Sequence, residues 1–470
     1  MAAVTLAAIK IGQVMLGLSP LQTVGIAGLV TVIFSTAGGF KGVVYTDFLL
    51  FFVAMAGGIG AAIYIVNLPE VGGLSTLLAH ESVAEKMSIL PDFNNKEVLI
   101  TLFIIPLAVQ WWSAWYPGAE PGGGGYIAQR MLAAKNENHA IGATFFFNIL
   151  HYALRPWPWI LVALASLVVY PDVASIKEAF PAISPDKLGN DLAYSAMLTK
   201  LPNGLLGVVL TSLIAAYMST ISTHLNWGSS YIVNDVYKRY LNPGASHKQM
   251  VAAGRISTVS LMVCSALLAL VLQNALQLFN VILMFGAGTG LIFILRWFWW
   301  RINAWSEISA MIISGIFSLL LNFTSLGIYM FGGAVLDGNE DVVAGLLPGY
   351  MKYPFLVFIT TLVWLTVTFL TRPEKKETLE RFCKEIRPGG PGWRAFSVQH
   401  KRDDQTSESW NVPYGIAATL AGCFVIYGGL FATGYWIYGY YLKASILTTV
   451  TFFASVLLIR LWKNIKEIIF

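Results

Sequence analysis

The chain has 470 residues, of which 56% are hydrophobic and 12% charged, and its formal net charge is +5. Soluble domains carry about a quarter charged residues, so this composition excludes an ordinary soluble domain and indicates a polytopic membrane protein. The three cysteines (Cys264, Cys383 and Cys423) lie too far apart to indicate a disulfide framework or a metal centre. No basic segment or cleavage site follows Met1, so we expect no signal peptide.

A membrane-spanning helix needs about 20 mostly apolar residues. About twelve stretches meet this requirement, at 2–18, 21–38, 44–67, 97–116, 140–170, 204–233, 249–273, 276–300, 303–323, 353–371, 412–435 and 438–461. If the loop from Gly38 to Lys41 is cytoplasmic, alternation places most basic loops on that side and leaves few basic residues near 68–96, 171–203 and 324–352. This asymmetry follows the positive-inside rule, explains the basic charge without nucleic acid, and supports the helix count.

Asp47 lies near the start of the third predicted helix, in the sequence AGGFKGVVYTDFLLFF. A carboxylate at the centre of a membrane helix costs about 2.5–3.5 kcal/mol, so it usually has a partner and a role. If the helix begins later, near Val43, Asp47 is an interfacial residue that the helix dipole favours. The sequence alone leaves both interpretations open.

Residues 106–130 (PLAVQWWSAWYPGAEPGGGGYIAQR) contain three prolines and four consecutive glycines, which cannot form one continuous helix. Broken helices at membrane depth are tolerated where they line a cavity or are buried in protein. Aromatic rings with a few polar groups suit sugar-like, uncharged polar ligands. The alternative is an aromatic belt followed by a loop. The candidate substrate-binding residues are Gln110, Trp111, Trp112, Trp115 and Glu120.

Arg155 lies inside the apolar stretch 140–170, next to Pro156 and Pro158. An arginine in a membrane helix is either paired or facing water. We therefore expect a structural pair or a cytoplasmic gate.

Residues 211–239 (TSLIAAYMSTISTHLNWGSSYIVNDVYKR) begin as an apolar membrane helix and then gather small hydroxyl residues. The residues that share one helical face are Ala216, Ser219, Thr220 and Thr223, with Ser222 beside them. One interpretation is close helix packing, in which hydroxyls bond across helices. The other is a dehydrated hard cation that needs several converging oxygen atoms. We expect the adjacent His224 to pack or lie at the interface.

Charge and hydropathy divide the chain into a membrane core (1–371), a charged linker (372–411) and a C-terminal pair of membrane helices (412–470). The charged segment is predicted to form a short amphipathic helix, a Pro/Gly turn and a polar tail. It is either a solvated cytoplasmic linker or a surface helix that makes a regulatory contact.

Three motifs resemble the sodium:solute symporter family, which includes the sodium–glucose and sodium–proline cotransporters. AAYMSTISTHLN followed by ND-Y is similar to the family's eighth core helix, and GG-x-x-x-V-x-x-T-D to its fifth. Gln129-Arg130 matches the Gln-Arg of its sixth, although PGAEPGGGG departs from the usual pattern. The resemblance implies an all-α polytopic membrane protein with the inverted-repeat symporter (LeuT-like) fold.

The resemblance also implies two sodium sites. Ala216 (through its carbonyl), Ser219 and Thr220 would bind the first ion, and Asp47 with Ser219, Ser222 and Thr223 the second. Such an oxygen shell suits sodium and not zinc or copper.

The family's third core helix corresponds to 2–18, so the resemblance covers nearly the whole chain but lacks the first two core helices. We expect a chain without the family's N-terminal portion, incomplete at both sodium sites.

The implied function is a sodium-coupled secondary transporter that imports a small polar solute by alternating access, and a sugar is the favoured solute class. Na⁺ would be the coupling ion, with no organic cofactor, and the lipid bilayer and the solute would be the partners, with no nucleic acid. We find no nucleophile–base or metal cluster that would indicate an enzyme. The expected location is a bacterial inner membrane. The alternative is a non-transporting sensor or scaffold, or an inactive truncated relic.

Overall fold

The computed structural model describes residues 1–112, 130–272, 275–334, 342–386, 388, 390–396 and 412–469. The chain forms two compact units. The first contains Met1–Ser88, Phe147–Leu278 and Gly429–Leu447. The second contains Ile89–Phe146, Phe279–Gly428 and Thr448–Phe470.

The structure is almost entirely helical over the described residues. The α-helices are α1 (Ala2–Leu16), α2 (Pro20–Val66), α3 (Leu74–Ala79), α4 (Glu81–Ala84), α5 (Lys96–Leu99), α6 (Glu137–Asn148), α7 (Pro156–Val169), α8 (Val173–Ala179), α9 (Ala193–Leu198), α10 (Asn203–Tyr231), α11 (His247–Val271), α12 (Ala275–Leu295), α13 (Ala304–Phe323), α14 (Ser325–Phe331), α15 (Lys352–Leu370), α16 (Lys376–Ile386), α17 (Val412–Ile437) and α18 (Tyr441–Ile469). The π-helices are Ile100–Ile104, Pro106–Gln110, Ile149–Leu154 and Ile232–Leu241, and the 3₁₀-helices are Pro185–Lys187, Asn190–Leu192, Gly349–Met351 and Pro391–Trp393. Two short strands, β1 (Gly333–Ala334) and β2 (Val342–Val343), pair antiparallel, with Gly333 opposite Val343.

Eight helices of the described chain are long and apolar enough to cross a membrane, or nine if the bent pair Ala2–Leu16 and Pro20–Ile33 is one span. The all-α polytopic membrane fold is therefore confirmed. The count is lower than the expected twelve because some predicted stretches form short helices. The 15 residues of α1 reach about 22 Å, short of the roughly 30 Å of hydrocarbon. The stretch 97–116 is divided between α5 and two π-helices.

Within the first unit, α2 lies against both α10 and α11 and reverses direction. Its first part runs antiparallel to α11, and its last part runs antiparallel to α10. Since α10 and α11 are themselves antiparallel, the two parts of α2 must run in opposite directions. Three pairs of contacts fix these directions. They are Val24–Ala269 and Gly28–Met262 for the first part, Gly57–Val209 and Gly60–Leu205 for the last part, and Gly228–Leu261 and Gly254–Val233 between α10 and α11.

The sequence predicted two helices, 21–38 and 44–67, with a loop between them. The predicted helix ends at 38 and 44 are wrong. Helical hydrogen bonding continues from Pro20 to Val66, over 47 residues. The predicted reversal is nevertheless present, because the two parts of α2 run in opposite directions. Glycine-rich sequence is where helices bend most readily, and Gly38 and Gly39 lie within this stretch.

Hydroxyl-lined packing holds α12, α13 and α15 together in the second unit. Ser314 Oγ of α13 donates to the Phe285 carbonyl of α12 at 2.7 Å. Gly288 lies under this contact, because a Cβ there would fall 2.2 Å from Ser314 Oγ and 2.9 Å from Thr360 Oγ1. Small residues thus bring these helix backbones together, as is typical of membrane helix interfaces.

Residues 371–386 and 390–396 pack against the turn that joins α12 to α13, also within the second unit. Trp393 stacks on Phe382 of α16 at a centroid distance of 5.1 Å, and its Nε1 donates to the Trp297 carbonyl at 3.0 Å. Trp300 packs on Phe396 at 5.2 Å. We call the six residues Trp297, Trp300, Phe382, Cys383, Trp393 and Phe396 the aromatic cap. The two interpretations of the charged segment, a solvated cytoplasmic linker and a surface helix that makes a regulatory contact, both stay predictions.

Candidate functional site

The hydroxyl-rich face lies in the middle of α10, which packs against α1, α2 and α11 in the first unit. Thr220 Oγ1 donates to the Ala216 carbonyl at 2.8 Å, and Ser222 Oγ donates to the Ser219 carbonyl at 3.1 Å. These bonds satisfy the hydroxyl protons within the helix itself. The lone pairs of the two hydroxyl oxygens are therefore left to accept hydrogen bonds or to bind a cation.

The residues implied for the two sodium ions differ in their environment. Ser222 is 0% exposed and Thr223 is 7% exposed. Ala216, Ser219 and Thr220 are half-buried. The residues assigned to the first ion are thus more accessible than Ser222 and Thr223 of the second site.

A cavity of about 290 Å³ lies between α1, the first part of α2 and α10. Ala216 and Thr220 line it, together with the polar residues Thr23 and Tyr217. The other lining residues are apolar or glycine. A dehydrated hard cation takes about six oxygen ligands, so these residues would supply only part of a sodium shell.

Asp47 lies within helix α2, but its side chain lies outside the described part of the structure. Its predicted position facing Ser219, Ser222 and Thr223 therefore stays a prediction. The adjacent His224 lies with Nδ1 2.8 Å from the Thr220 carbonyl. Because a carbonyl can only accept, this contact needs the proton on Nδ1, and it is consistent with the expected packing role.

Gln110, Trp111 and Trp112, which sequence analysis assigned to substrate binding, follow each other at the end of the second π-helix of the second unit. Trp111 is largely exposed, and its ring meets that of Trp112 edge-on at 5.3 Å. Gln110 lies beside Tyr353 of α15. Wide π-helical turns are common at functional sites. Trp115 and Glu120 lie outside the described residues.

Trp112 is buried against α12 and already uses its polar group. Its Nε1 donates to the Ala287 carbonyl at 2.9 Å. Gly290 lies directly beneath the indole, since a Cβ there would fall 2.6 Å from Trp112 Cδ1. The ring therefore packs the π-helix against α12, and a role in binding solute stays a prediction for Trp112.

His151 is a polar residue that sequence analysis missed. It lies on the π-helix Ile149–Leu154, with Nδ1 3.1 Å from Nη1 of Arg155, whose guanidinium lies over the Trp159 ring at 5.5 Å. Both lie near the middle of a 33-residue apolar span, Glu137–Val169. The spacing of four residues between His151 and Arg155 was the signal that could have identified the pair. The contact fits the expected structural pairing of Arg155.

Comparison with known proteins gives a consistent result. The family model of the sodium:solute symporter family matches residues 1–314. The chain is similar to a sodium/glucose cotransporter of Vibrio parahaemolyticus, with 26% identity over 67% of this chain and 59% of the relative. It is also similar to sodium/myo-inositol cotransporter 2 of Mus musculus, with 27% identity over 75% of this chain and 54% of the relative.

The fold is similar to that of a Na⁺-coupled sialic acid symporter solved in a substrate-bound, outward-open state. The TM-score is 0.52 with 18% identity, and the match covers 80% of this chain and 75% of the other. The chain spans between 54% and 59% of the length of the two cotransporters named above. Because the family model matches about two thirds of its residues, the chain belongs to the sodium:solute symporter family.

Proposed function

We propose that the protein couples sodium entry to the import of a small polar solute by alternating access, with Na⁺ bound at the hydroxyl face of α10. The observation that carries this proposal is the arrangement of Thr220 and Ser222. Their protons are directed to carbonyls of their own helix, so their oxygens are free to act as ligands. Each sodium that enters down a potential of 100 mV releases about 2.3 kcal/mol, which can drive uptake.

The favoured solute class is a sugar or polyol. The relatives named for glucose and myo-inositol transport support this class. The exposed indole of Trp111 supports it too, because sugars stack on aromatic faces. A bacterial inner membrane is the proposed location, since one of the relatives is bacterial.

Sodium-dependent uptake into proteoliposomes tests the proposal. The purified protein is reconstituted and offered labelled glucose or myo-inositol with sodium or choline outside. We expect Ser219→Ala to raise the sodium concentration needed for half-maximal uptake about tenfold, as for a lost bond to a charged group.

Ser212→Ala is the matched control. Ser212 lies on the same helix, is buried, and donates to the Val209 carbonyl at 2.7 Å. It is outside the proposed site, so its substitution should leave sodium activation unchanged. Equal sodium dependence in both variants would contradict sodium binding at this face.

A non-transporting sodium sensor is the second candidate. The nearly apolar lining of the cavity beside Ala216 and Thr220 favours it, since a transport pathway for ions normally carries more polar groups. Saturable ²²Na⁺ binding that Ser219→Ala weakens, without uptake of either solute, would support the sensor over the transporter.

A further inference from the structure

A second cavity, of about 540 Å³, lies in the first unit between the last part of α2, α3, α7 and the end of α17, and we call it the side crevice. Its floor is buried, since Ala62 is 3% exposed and Trp157 is 4% exposed. Its rim is open, since Ile59 is 44% exposed and Ile63 is 62% exposed. The side crevice is therefore a groove that opens on the lipid-facing surface of α2.

Close contacts at glycines set the walls of the side crevice. A Cβ at Gly58 of α2 would fall 3.1 Å from the Trp159 ring of α7, and a Cβ at Gly434 of α17 would overlap the Trp157 ring. These contacts fix α7 against α2 and α17 against α7, while the small side chain of Ala62 leaves the floor between them unfilled. The groove is thus a product of tight packing on either side of it.

The lining of the side crevice is almost entirely hydrocarbon. Among the described lining residues, the side-chain polar atoms belong to Asn67 and to the indole of Trp157, whose Nε1 is buried within the protein. A sugar or an ion would have to leave water without gaining hydrogen bonds there, which is unfavourable. The chemistry of the lining therefore selects an apolar occupant.

The side crevice runs from the end of a membrane span towards its middle. Asn67 follows the last residue of α2, and Leu74, which lies seven residues further along the chain, also lines this end. Met55 lines the other end and lies well inside the span Phe48–Val66. The one exposed polar side chain of the described lining, that of Asn67, thus lies at the level where lipid headgroups begin.

The width of the side crevice decides between a lipid chain and a helix of another protein. From Met55 to Asn67 the helix α2 rises about 18 Å. A volume of about 540 Å³ over this length corresponds to a mean cross-section of about 30 Å². An α-helix with its side chains is about 10 Å wide, a cross-section of about 80 Å², and does not fit. A single hydrocarbon chain is narrow enough.

We propose that the side crevice binds one acyl chain of a membrane phospholipid, with the headgroup at Asn67 and the end of the chain near Met55. The bilayer supplies this occupant directly, because the rim at Ile59 and Ile63 faces it. A bound chain gives the buried floor the van der Waals contacts that an apolar surface otherwise lacks.

Photolabelling in phosphatidylcholine vesicles tests the site and its orientation. The protein is reconstituted with a phosphatidylcholine that carries a diazirine at the end of one acyl chain, or with one that carries it in the headgroup. After irradiation, mass spectrometry of the digested protein locates the adducts. We expect the chain-end probe to label Met55 and its neighbours, and the headgroup probe to label the segment from Asn67 to Leu74.

Ala62→Phe blocks the floor of the side crevice. We expect it to lower labelling of Met55 by the chain-end probe about tenfold, because the ring takes the space of at least two methylenes of the chain. Ala56→Phe is the matched control, since Ala56 lies on the same helix, is exposed and is outside the described lining. Its labelling should stay within about twofold of the parent. If Ala62→Phe folds poorly, Ile63→Trp at the exposed rim gives the same test with a smaller decrease.

Three outcomes would overturn the proposal. Equal labelling of Met55 and of the exposed Phe52, unaffected by Ala62→Phe, would mean that only annular lipid touches this surface. Chain-end labelling confined to Asn67–Leu74 would reverse the orientation. Displacement of the probe by palmitate as readily as by unlabelled phosphatidylcholine would remove the headgroup from the site. None of these readouts depends on sodium or on solute, so this proposal and the proposed function fail separately.

Discussion

The aromatic cap makes a quantitative prediction, because it buries a reactive group that can be titrated. Trp393 is 3% exposed, stacks on Phe382 and donates to the Trp297 carbonyl. Replacing a buried tryptophan with alanine costs about 3–5 kcal/mol. If the cap opens without the rest of the unit, the lower end of this range applies, about 3 kcal/mol. At about 1.4 kcal/mol per factor of ten, this raises the open population about 100-fold.

Alkylation of Cys383 measures that population. Cys383 is buried in the cap, whereas Cys264 and Cys423 are exposed and are replaced by alanine in the parent. We expect Trp393→Ala to speed alkylation of Cys383 by iodoacetamide about 100-fold, provided that opening is faster than the chemical step.

Trp393→Phe is the graded control. It keeps a ring against Phe382 but loses the bond to Trp297, which is worth about 1 kcal/mol, so we expect a rise of about fivefold to tenfold. Rates for Trp393→Ala within about twofold of the parent would refute the cap as the barrier that protects Cys383.

The pH dependence supplies a second readout of the same cap. Burial raises the pKa of the Cys383 thiol above its usual value. Only the thiolate reacts, so the parent rate should keep rising at alkaline pH where an exposed cysteine has reached its plateau. Below the pKa of the unfolded chain, the thiol is protonated whether the cap is closed or open. It then contributes nothing to the pH dependence of the free energy of opening. As the pH rises towards the raised folded pKa, the open state ionises first and the cap weakens.

Two further predictions concern the candidate sites. Asp47→Asn should weaken sodium activation of uptake, because it removes the formal charge of the second sodium site; unchanged sodium dependence would remove that site from the mechanism. Gly290→Ala should lower the free energy of unfolding by about 1–3 kcal/mol, because its Cβ would overlap the Trp112 ring. Gly142→Ala, where a Cβ meets nothing within 4 Å, is the control, and equal melting temperatures for the two variants would refute this packing.

Local features of the site could be predicted from the sequence because they depend on spacing along one helix. The hydroxyl face of α10 follows from the spacing of Ala216, Ser219 and Thr220, and the bonds within it join residues three or four apart. The composition, the membrane class and the family motifs were likewise readable from contiguous residues.

The rest depends on contacts between residues that are distant in sequence. Lys10 and Asp191 are 181 residues apart, and Lys10 gave no signal beyond a charge in an apolar stretch. The tryptophans of the aromatic cap meet across 96 residues. Trp112 was assigned to solute from its position beside the broken helix and its aromatic ring, and its bond to the Ala287 carbonyl, 175 residues away, could not be anticipated.

The inward hydroxyl bonds of α10 have a spectroscopic consequence. The Ala216 carbonyl accepts both a backbone N–H and the Thr220 hydroxyl, and the Ser219 carbonyl likewise accepts the Ser222 hydroxyl. A carbonyl that accepts two bonds vibrates at a lower frequency in the amide I band. Isotope-edited infrared spectra with ¹³C=¹⁸O at Ala216 would therefore carry a shifted band. If an ion bound the Thr220 hydroxyl oxygen or the Ala216 carbonyl oxygen, the frequency of this band would shift.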